Sequence, residues 1–136
     1  MKLREVVFIL DAQVASDSVD PELEVRTACG ADLMSDVLAF AHQDGTLLLS
    51  GLTNPQVVRT AEMASVLAIV FVRGKTPPPE TVKLAEEKRI PLLSTACSMF
   101  EACGRLYYAG LESCDVRGVE RQLVVKRLSE LRKPGS

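Results

Sequence analysis

Apolar positions along the chain gather into short unbroken runs separated by amphipathic stretches. Thr46-Leu47-Leu48-Leu49-Ser50, Leu67-Ala68-Ile69-Val70-Phe71-Val72 and Pro91-Leu92-Leu93-Ser94 are continuous rather than alternating. That pattern suits strands covered on both faces, as in a parallel sheet. Between these runs the period changes to that of a helix. Asn54-Pro55 reads as an N-cap with proline at the first helical position, followed by Val57, Val58, Ala61 and Ala64 on one stripe. Pro77-Pro78-Pro79-Glu80 opens a second helix that runs to about Arg89. Ser98-Met99-Phe100-Glu101 has the form of a capping box, with Met99, Cys103, Leu106 and Tyr107 on the stripe and Gly110 as the stop. Upstream, Asp32 is placed to cap a helix from Leu33 to Ala41, where Met34, Val37, Leu38 and Ala41 share a face.

Strands alternating with helices predict βαβ units. The fold class is therefore α/β with three layers: a mostly parallel sheet of about five strands with helices on both faces. The first thirty residues are ambiguous. Val6, Val7, Phe8 and Ile9 give Leu3 to Leu10 a strand-like composition, yet Leu3, Val6, Val7 and Leu10 also fit a helical stripe. Asp17 to Pro21 reads as a turn and Leu23 to Ala28 as a strand.

Composition narrows the class. At 136 residues, 47% apolar and 25% charged, the chain has one domain's worth of core and is not a disordered sequence. The longest apolar run, Val66 to Val72, is seven residues, far short of the ~20 that span a bilayer. The apolar stretch Val6 to Leu10 is too short for a signal-peptide core. A cytoplasmic protein with no membrane association is expected. The net charge of −2 excludes a globally basic nucleic-acid binder. Charge is unevenly spread, however. Residues 1–114 carry 10 Lys/Arg against 15 Asp/Glu, and residues 115–136 carry 6 against 3. The shift divides the chain into an α/β domain, 1–114, and a basic extension, 115–136. Within the extension, Val124, Leu128 and Leu131 recur at helical spacing among basic residues. They predict a helix that either docks on its own domain or completes a partner or dimer interface. Pro134-Gly135-Ser136 reads as an end without fixed structure.

Candidate chemistry is sparse. Cys29, Cys97, Cys103 and Cys114 form no CxxC pair and no His-containing cluster, so they are read as reduced core thiols, with no metal site. His42 follows a predicted helix C-terminus, where the dipole favours an imidazole without any catalytic task. Ser35 and Asp36 fall in a first helical turn, where such residues cap, and Gly104 beside Cys103 is read as letting a neighbour approach. No Ser–His–Asp or Cys–His arrangement, Walker-type loop or Gly-x-Gly-x-x-Gly loop is present, so neither catalysis nor a cofactor is expected. What the topology does offer is a row of loops at the carboxyl ends of parallel strands, where ligands of open α/β sheets bind. Gly51, Thr53 and Asn54, then Arg73, Gly74 and Lys75, then Ser94 and Thr95 are the candidate ligand-binding residues. Glycines admit a ligand to the backbone, hydroxyls and the amide fix its orientation, and the two cations favour an anion such as a phosphate. Ordinary structural roles compete: Asn54 as a cap, Gly74 as a turn, Arg73 and Lys75 as solvated charges.

Four blocks in fixed order resemble DRTGG domains. They are Gly30-Ala31-Asp32-Leu33-Met34-Ser35-Asp36-Val37-Leu38-Ala39-Phe40, then Gly51 to Met63, then Ile69-Val70-Phe71-Val72-Arg73-Gly74-Lys75, and Met99 to Tyr107. The similarity covers about residues 1–112 and is greatest to short stand-alone members. The name-giving residues themselves are absent: Leu52-Thr53-Asn54 and Val72-Arg73-Gly74 stand in their places. Related domains accompany CBS domains in regulated pyrophosphatases, precede phosphotransacetylases and form the N-terminal half of HPr kinase/phosphorylase. The resemblance implies a regulatory, ligand-sensing module without catalysis that pairs as a homodimer and takes a small anionic ligand. Stand-alone members are encoded beside hydrogenase subunits and anti-sigma-type kinase-like ATPases, which implies a partner of that kind in anaerobic energy metabolism. The alternative is an adaptor for such partners with no ligand. The family fold also implies a helix at Leu3 to Leu10 and a short strand near Gln13 to Ala15.

Overall fold

The three continuous apolar runs become the three central strands, and the helical stripes between them become the helices that cover those strands. The computed structural model describes residues 1–17, 19–41, 43–114 and 121–134. In chain order the elements are α1 (Leu3–Leu10), β1 (Gln13–Val14), β2 (Thr27–Gly30), α2 (Met34–Phe40), β3 (Thr46–Ser50) and α3 (Pro55–Met63). They continue with β4 (Ala68–Phe71), α4 (Pro79–Lys88), β5 (Leu92–Ser94), α5 (Met99–Tyr108), β6 (Glu112–Ser113) and α6 (Arg121–Leu131). The sheet has six strands in the order β1-β5-β4-β3-β2-β6, with every pair parallel except β1·β5. The expected α/β fold with a mostly parallel sheet and helices on both faces is the one observed, with one strand more than the approximate five. The two-residue strands β1 and β6 lie at the edges.

Alternate residues of the central strands feed two cores. Leu47, Leu49, Ala68, Val70 and Leu93 pack with Leu3, Val6 and Leu10 of α1 and Ala102 and Leu106 of α5. Leu48, Ile69, Phe71 and Leu92 pack instead with Val37 of α2, Val57, Val58 and Ala61 of α3 and Ala85 of α4. Because both faces are buried, β3 and β4 carry no exposed position. Each fully buried Leu, Ile or Phe contributes about 1.5–3 kcal/mol of transfer free energy.

The ambiguous start resolves as a helix, as the resemblance implies, and β1 follows at Gln13–Val14. Burial of Leu3, Val6 and Leu10 with Phe8 left 87% exposed follows a helical period, not an alternating one. The predicted strand at Leu23 to Ala28 is displaced to Thr27–Gly30. Its first half is taken by the chain start. Leu3 N donates to the Leu23 carbonyl at 2.8 Å and Val25 N to the Met1 carbonyl at 2.7 Å, with a single antiparallel bridge between Lys2 and Glu24.

Helix boundaries follow the punctuation. The Asn54 side chain accepts from Val57 N at 3.3 Å, and Ser98 accepts from Glu101 N at 3.2 Å. Only half of the Ser98–Glu101 capping box forms, since the Glu101 carboxylate pairs with Arg105 Nε at 2.9 Å rather than returning to Ser98. Gly110 closes α5 at φ +108°, a conformation that favours glycine. The α2 expectation needs correction: Leu33 is the N-cap and receives no side-chain cap. Asp32 is engaged elsewhere.

Candidate functional site

Chain direction at the strand ends defines the site. From β4 the chain passes to α4 in one helical layer, whereas from the adjacent β5 it passes to α5 in the other. Divergent exits of this kind leave a crevice at the carboxyl edge of a parallel sheet. Two of the three predicted loops flank it, and the third lies one strand away at the end of β3.

The loops are tied to one another rather than splayed. Lys75 Nζ donates to the Gly51 carbonyl at 2.8 Å, and Ser94 Oγ donates to the Lys75 carbonyl at 2.8 Å. Gly74 N donates to the Thr95 carbonyl at 2.8 Å and Arg73 N to the Cys97 carbonyl at 2.7 Å. Gly51, Arg73, Gly74, Lys75, Ser94 and the Thr95 backbone therefore form one linked row. Arg73 and Gly74 both adopt left-handed conformations, at φ +62° and +67°. For arginine that costs on the order of 1–2 kcal/mol, which the flanking backbone bonds offset. The result is an exposed turn whose guanidinium has no partner among the described residues.

Three predicted residues take other positions. Thr95 is buried, and its hydroxyl turns inward to donate to the Leu10 carbonyl at 2.6 Å while accepting from Cys97 N at 3.2 Å. It braces the end of α1; its hydroxyl does not face the crevice, contrary to the role expected of it. Thr53 has its carbonyl held by Thr81 Oγ1 at 2.7 Å, which joins its loop to α4. Asn54 is exposed and spends its Oδ1 on the cap of α3.

Sequence reasoning missed Asp32. Its Oδ1 accepts from Gly51 N at 2.7 Å and from Ser50 Oγ at 3.2 Å, so the β2 loop joins the row. A methyl group on Gly51 would meet Asp32 Oδ1 at 3.4 Å and Lys75 Nζ at 3.7 Å, so carboxylate and ammonium both close over this glycine. The signal was available. Once β2 ends at Gly30, Asp32 belongs to the same carboxyl edge as the other loops. The arrangement can present one exposed guanidinium to an anion, with Asp32 and Lys75 holding the β2, β3 and β4 ends in register.

Elsewhere, an apolar groove of about 370 Å³ opens between α5 and the β2–β6 edge, lined by Gly30, Phe100, Gly104, Tyr107, Leu111 and Glu112 among others. It shares no residue with the strand-end row. The cysteines form no disulfide, and three of them are half-buried while Cys114 is buried. Burial, and then the neighbouring Cys114 thiol, push the Cys29 thiol up to about 12, and burial also raises Cys103. Both thiols are held protonated, the state of inert packing groups. Among the described residues no group of three His, Cys, Asp or Glu side chains is placed to hold a metal ion. His42 and residues 115–120 lie outside the described residues, and no described helix is long and apolar enough to cross a membrane.

No protein-family model matches the sequence, and no curated protein matches it. Among solved structures, the chain is similar to the CBS and DRTGG domains of the regulatory region of a Clostridium perfringens pyrophosphatase, solved with its activator diadenosine tetraphosphate. The TM-score is 0.61 at 19% identity, and the match covers 97% of this chain. The chain spans 61% of the length of that structure. The likeness is one of fold.

Proposed function

We propose that this chain is a DRTGG-like regulatory module that senses a small phosphorylated anion, with nucleotides first among candidates, and has no catalysis of its own. The observation that carries the reading is the exposed left-handed Arg73-Gly74 turn at the divergent exits of β4 and β5. It joins a cation without a described partner to the strand edge where open α/β sheets receive ligands. Arg73 supplies the charge, Gly74 keeps the exposed turn open to a ligand, and Lys75 with Asp32, bonded to the carbonyl and N–H of the buried Gly51, keeps the loops preorganised. Thr53, Asn54 and Ser94 complete the polar rim, and Thr95 contributes through its backbone. The fold likeness to a regulatory region whose activator is a nucleotide supports the same reading.

Under this proposal residues 1–114 are the sensing domain, and residues 115–136 are an extension that serves assembly. A homodimer that transmits its state to a hydrogenase or kinase-like partner in anaerobic energy metabolism is the setting the sequence resemblance favours. One observation favours the rival reading of an adaptor without ligand: the polar groups of the row already satisfy one another, Lys75 included.

Thermal shift against adenine mono-, di- and triphosphates, diadenosine tetraphosphate and inorganic phosphate separates the two. A ligand at ~100 times its Kd stabilises the native state by about 2.7 kcal/mol. One of these anions is expected to do so, and Arg73→Ala is expected to weaken that binding by about 1.5–3 kcal/mol, the range of a charged hydrogen bond. No shift with any of them would leave the adaptor.

A further inference from the structure

The outer face of α5 is built for a neighbour. Its inner side buries Ala102 and Leu106. Its outer side carries Phe100 and Tyr108, exposed to 87% and 92%, with Gly104 between them on one stripe. A methyl group on Gly104 would meet nothing within 4 Å. Large aromatic side chains flanking a residue with no side chain make a notch into which a helix can settle closely. The notch opens into the apolar groove of about 370 Å³ that runs beside β6, with Glu112 among its walls.

The same chain carries a helix of the complementary kind. Leu123, Val125, Leu128 and Leu131 of α6 are exposed to 41%, 60%, 45% and 77%. Around them stand Lys126, Arg127, Arg132 and Lys133 against Glu130 alone, while residues 1–114 have 15 acidic side chains against 10 basic ones. A helix with exposed apolar side chains and a cationic rim thus coexists in one chain with an apolar groove on an anionic body, and among the described residues Phe100, Tyr108, Leu128 and Leu131 all remain exposed.

We propose that α6 of a second copy seats in the α5 groove, and that the exchange is reciprocal. Leu128 and Leu131 enter the notch over Gly104 between Phe100 and Tyr108, and the basic residues of α6 face the acidic body. Two identical contacts related by a two-fold axis close the assembly and double the area that one helix of 11 residues would bury. The inference rests on the proposed pairing and on the assembly role of residues 115–136, but the interface lies apart from the strand-end row, so it stands or falls independently of the ligand reading.

The test is sedimentation equilibrium of the full chain and two full-chain variants, with circular dichroism to check that each is folded. Leu128→Glu alters an exposed side chain, and Gly104→Arg fills open space on a helix, so both should fold. The unmodified chain should sediment at twice the chain mass at tens of micromolar. Each variant should weaken the dimer by at least about tenfold, as expected at the centre of an interface. The double variant should lose much less than the two losses combined, because both act on one contact. A monomer at these concentrations overturns the proposal. So does a dimer that tolerates either substitution, or a pair of losses that simply add.

Discussion

Thr95 sits just beyond β5 with its hydroxyl in the interior, donating to the Leu10 carbonyl at 2.6 Å and accepting from Cys97 N at 3.2 Å. One hydroxyl thus serves both the last turn of α1 and the loop entering α5, where the Leu10 carbonyl has only the distant Cys97 thiol, at 3.8 Å, as a further donor. Thr95→Val preserves shape and removes both bonds, so it should destabilise the fold by about 1–3 kcal/mol in urea titration. Thr95→Ser, which keeps the hydroxyl, should lose less. Ligand affinity should be unchanged in either variant, which distinguishes this residue from Arg73. Asp32 differs from Thr95 in being exposed, yet its Oδ1 likewise accepts two bonds, from Gly51 N and Ser50 Oγ. Neither role is readable from residue type. Hydroxyls and carboxylates beside a helix start ordinarily cap it, and only the positions of α1 and of the β2 end show that these two do something else.

At the scale of elements, two glycines exchange the roles their surroundings suggest. Gly104 lies mid-helix on α5, where glycine invites the reading of close helix approach, yet a methyl group there meets nothing within 4 Å. The tight approach is at Gly30, at the end of β2, where a Cβ would lie 2.9 Å from Cys103 Sγ and 3.1 Å from Met99 Sδ. Gly30 is what lets α5 settle on the sheet. Gly30→Ala should therefore destabilise by about 1–3 kcal/mol through overpacking, whereas Gly104→Ala, measured at concentrations low enough to keep the chain monomeric, should stabilise by up to about 1 kcal/mol through helix propensity. Opposite signs in denaturant titration are the expected outcome, and equal signs would refute this account of how α5 packs. The central strands and the helices α3, α4 and α5 were legible because burial on two faces writes continuous apolar runs, and caps and prolines write helix ends. β1 and β6 were not, or only through resemblance: each has two residues, both exposed, and exists because a longer neighbour offers an edge. The row of strand-end loops was legible for the same topological reason as the strands. Asp32 was lost from it because Leu23 to Val25 looks like strand but pairs with the chain start, which pushes β2 towards Gly30.

For the molecule as a whole, one sheet serves two cores whose helices lie on its opposite faces. Leu48 belongs to the cluster beneath α2, α3 and α4, and Leu49, its neighbour in β3, to the cluster beneath α1 and α5; both are 0% exposed. Adjacent residues of one strand therefore report on opposite layers. If the layers were separable, each truncation would loosen its own side and leave the other intact. The backbone argues against that, since β3, β4 and β5 hydrogen-bond in parallel register and supply both cores from the same residues in alternation. Losing one layer would expose the sheet face that keeps the other in place. Leu48→Ala and Leu49→Ala should each cost about 2–5 kcal/mol, and unfolding should remain a single transition in both. The check is coincidence of two probes in each variant. Tyr107 and Tyr108 both lie on α5, so tyrosine fluorescence follows one layer, while far-ultraviolet circular dichroism follows every helix. Superimposed curves for both variants mean one cooperative unit. A Leu49→Ala protein that loses its fluorescence transition at lower denaturant than its dichroism would mean that the α1–α5 layer melts from a sheet still held by the other three helices.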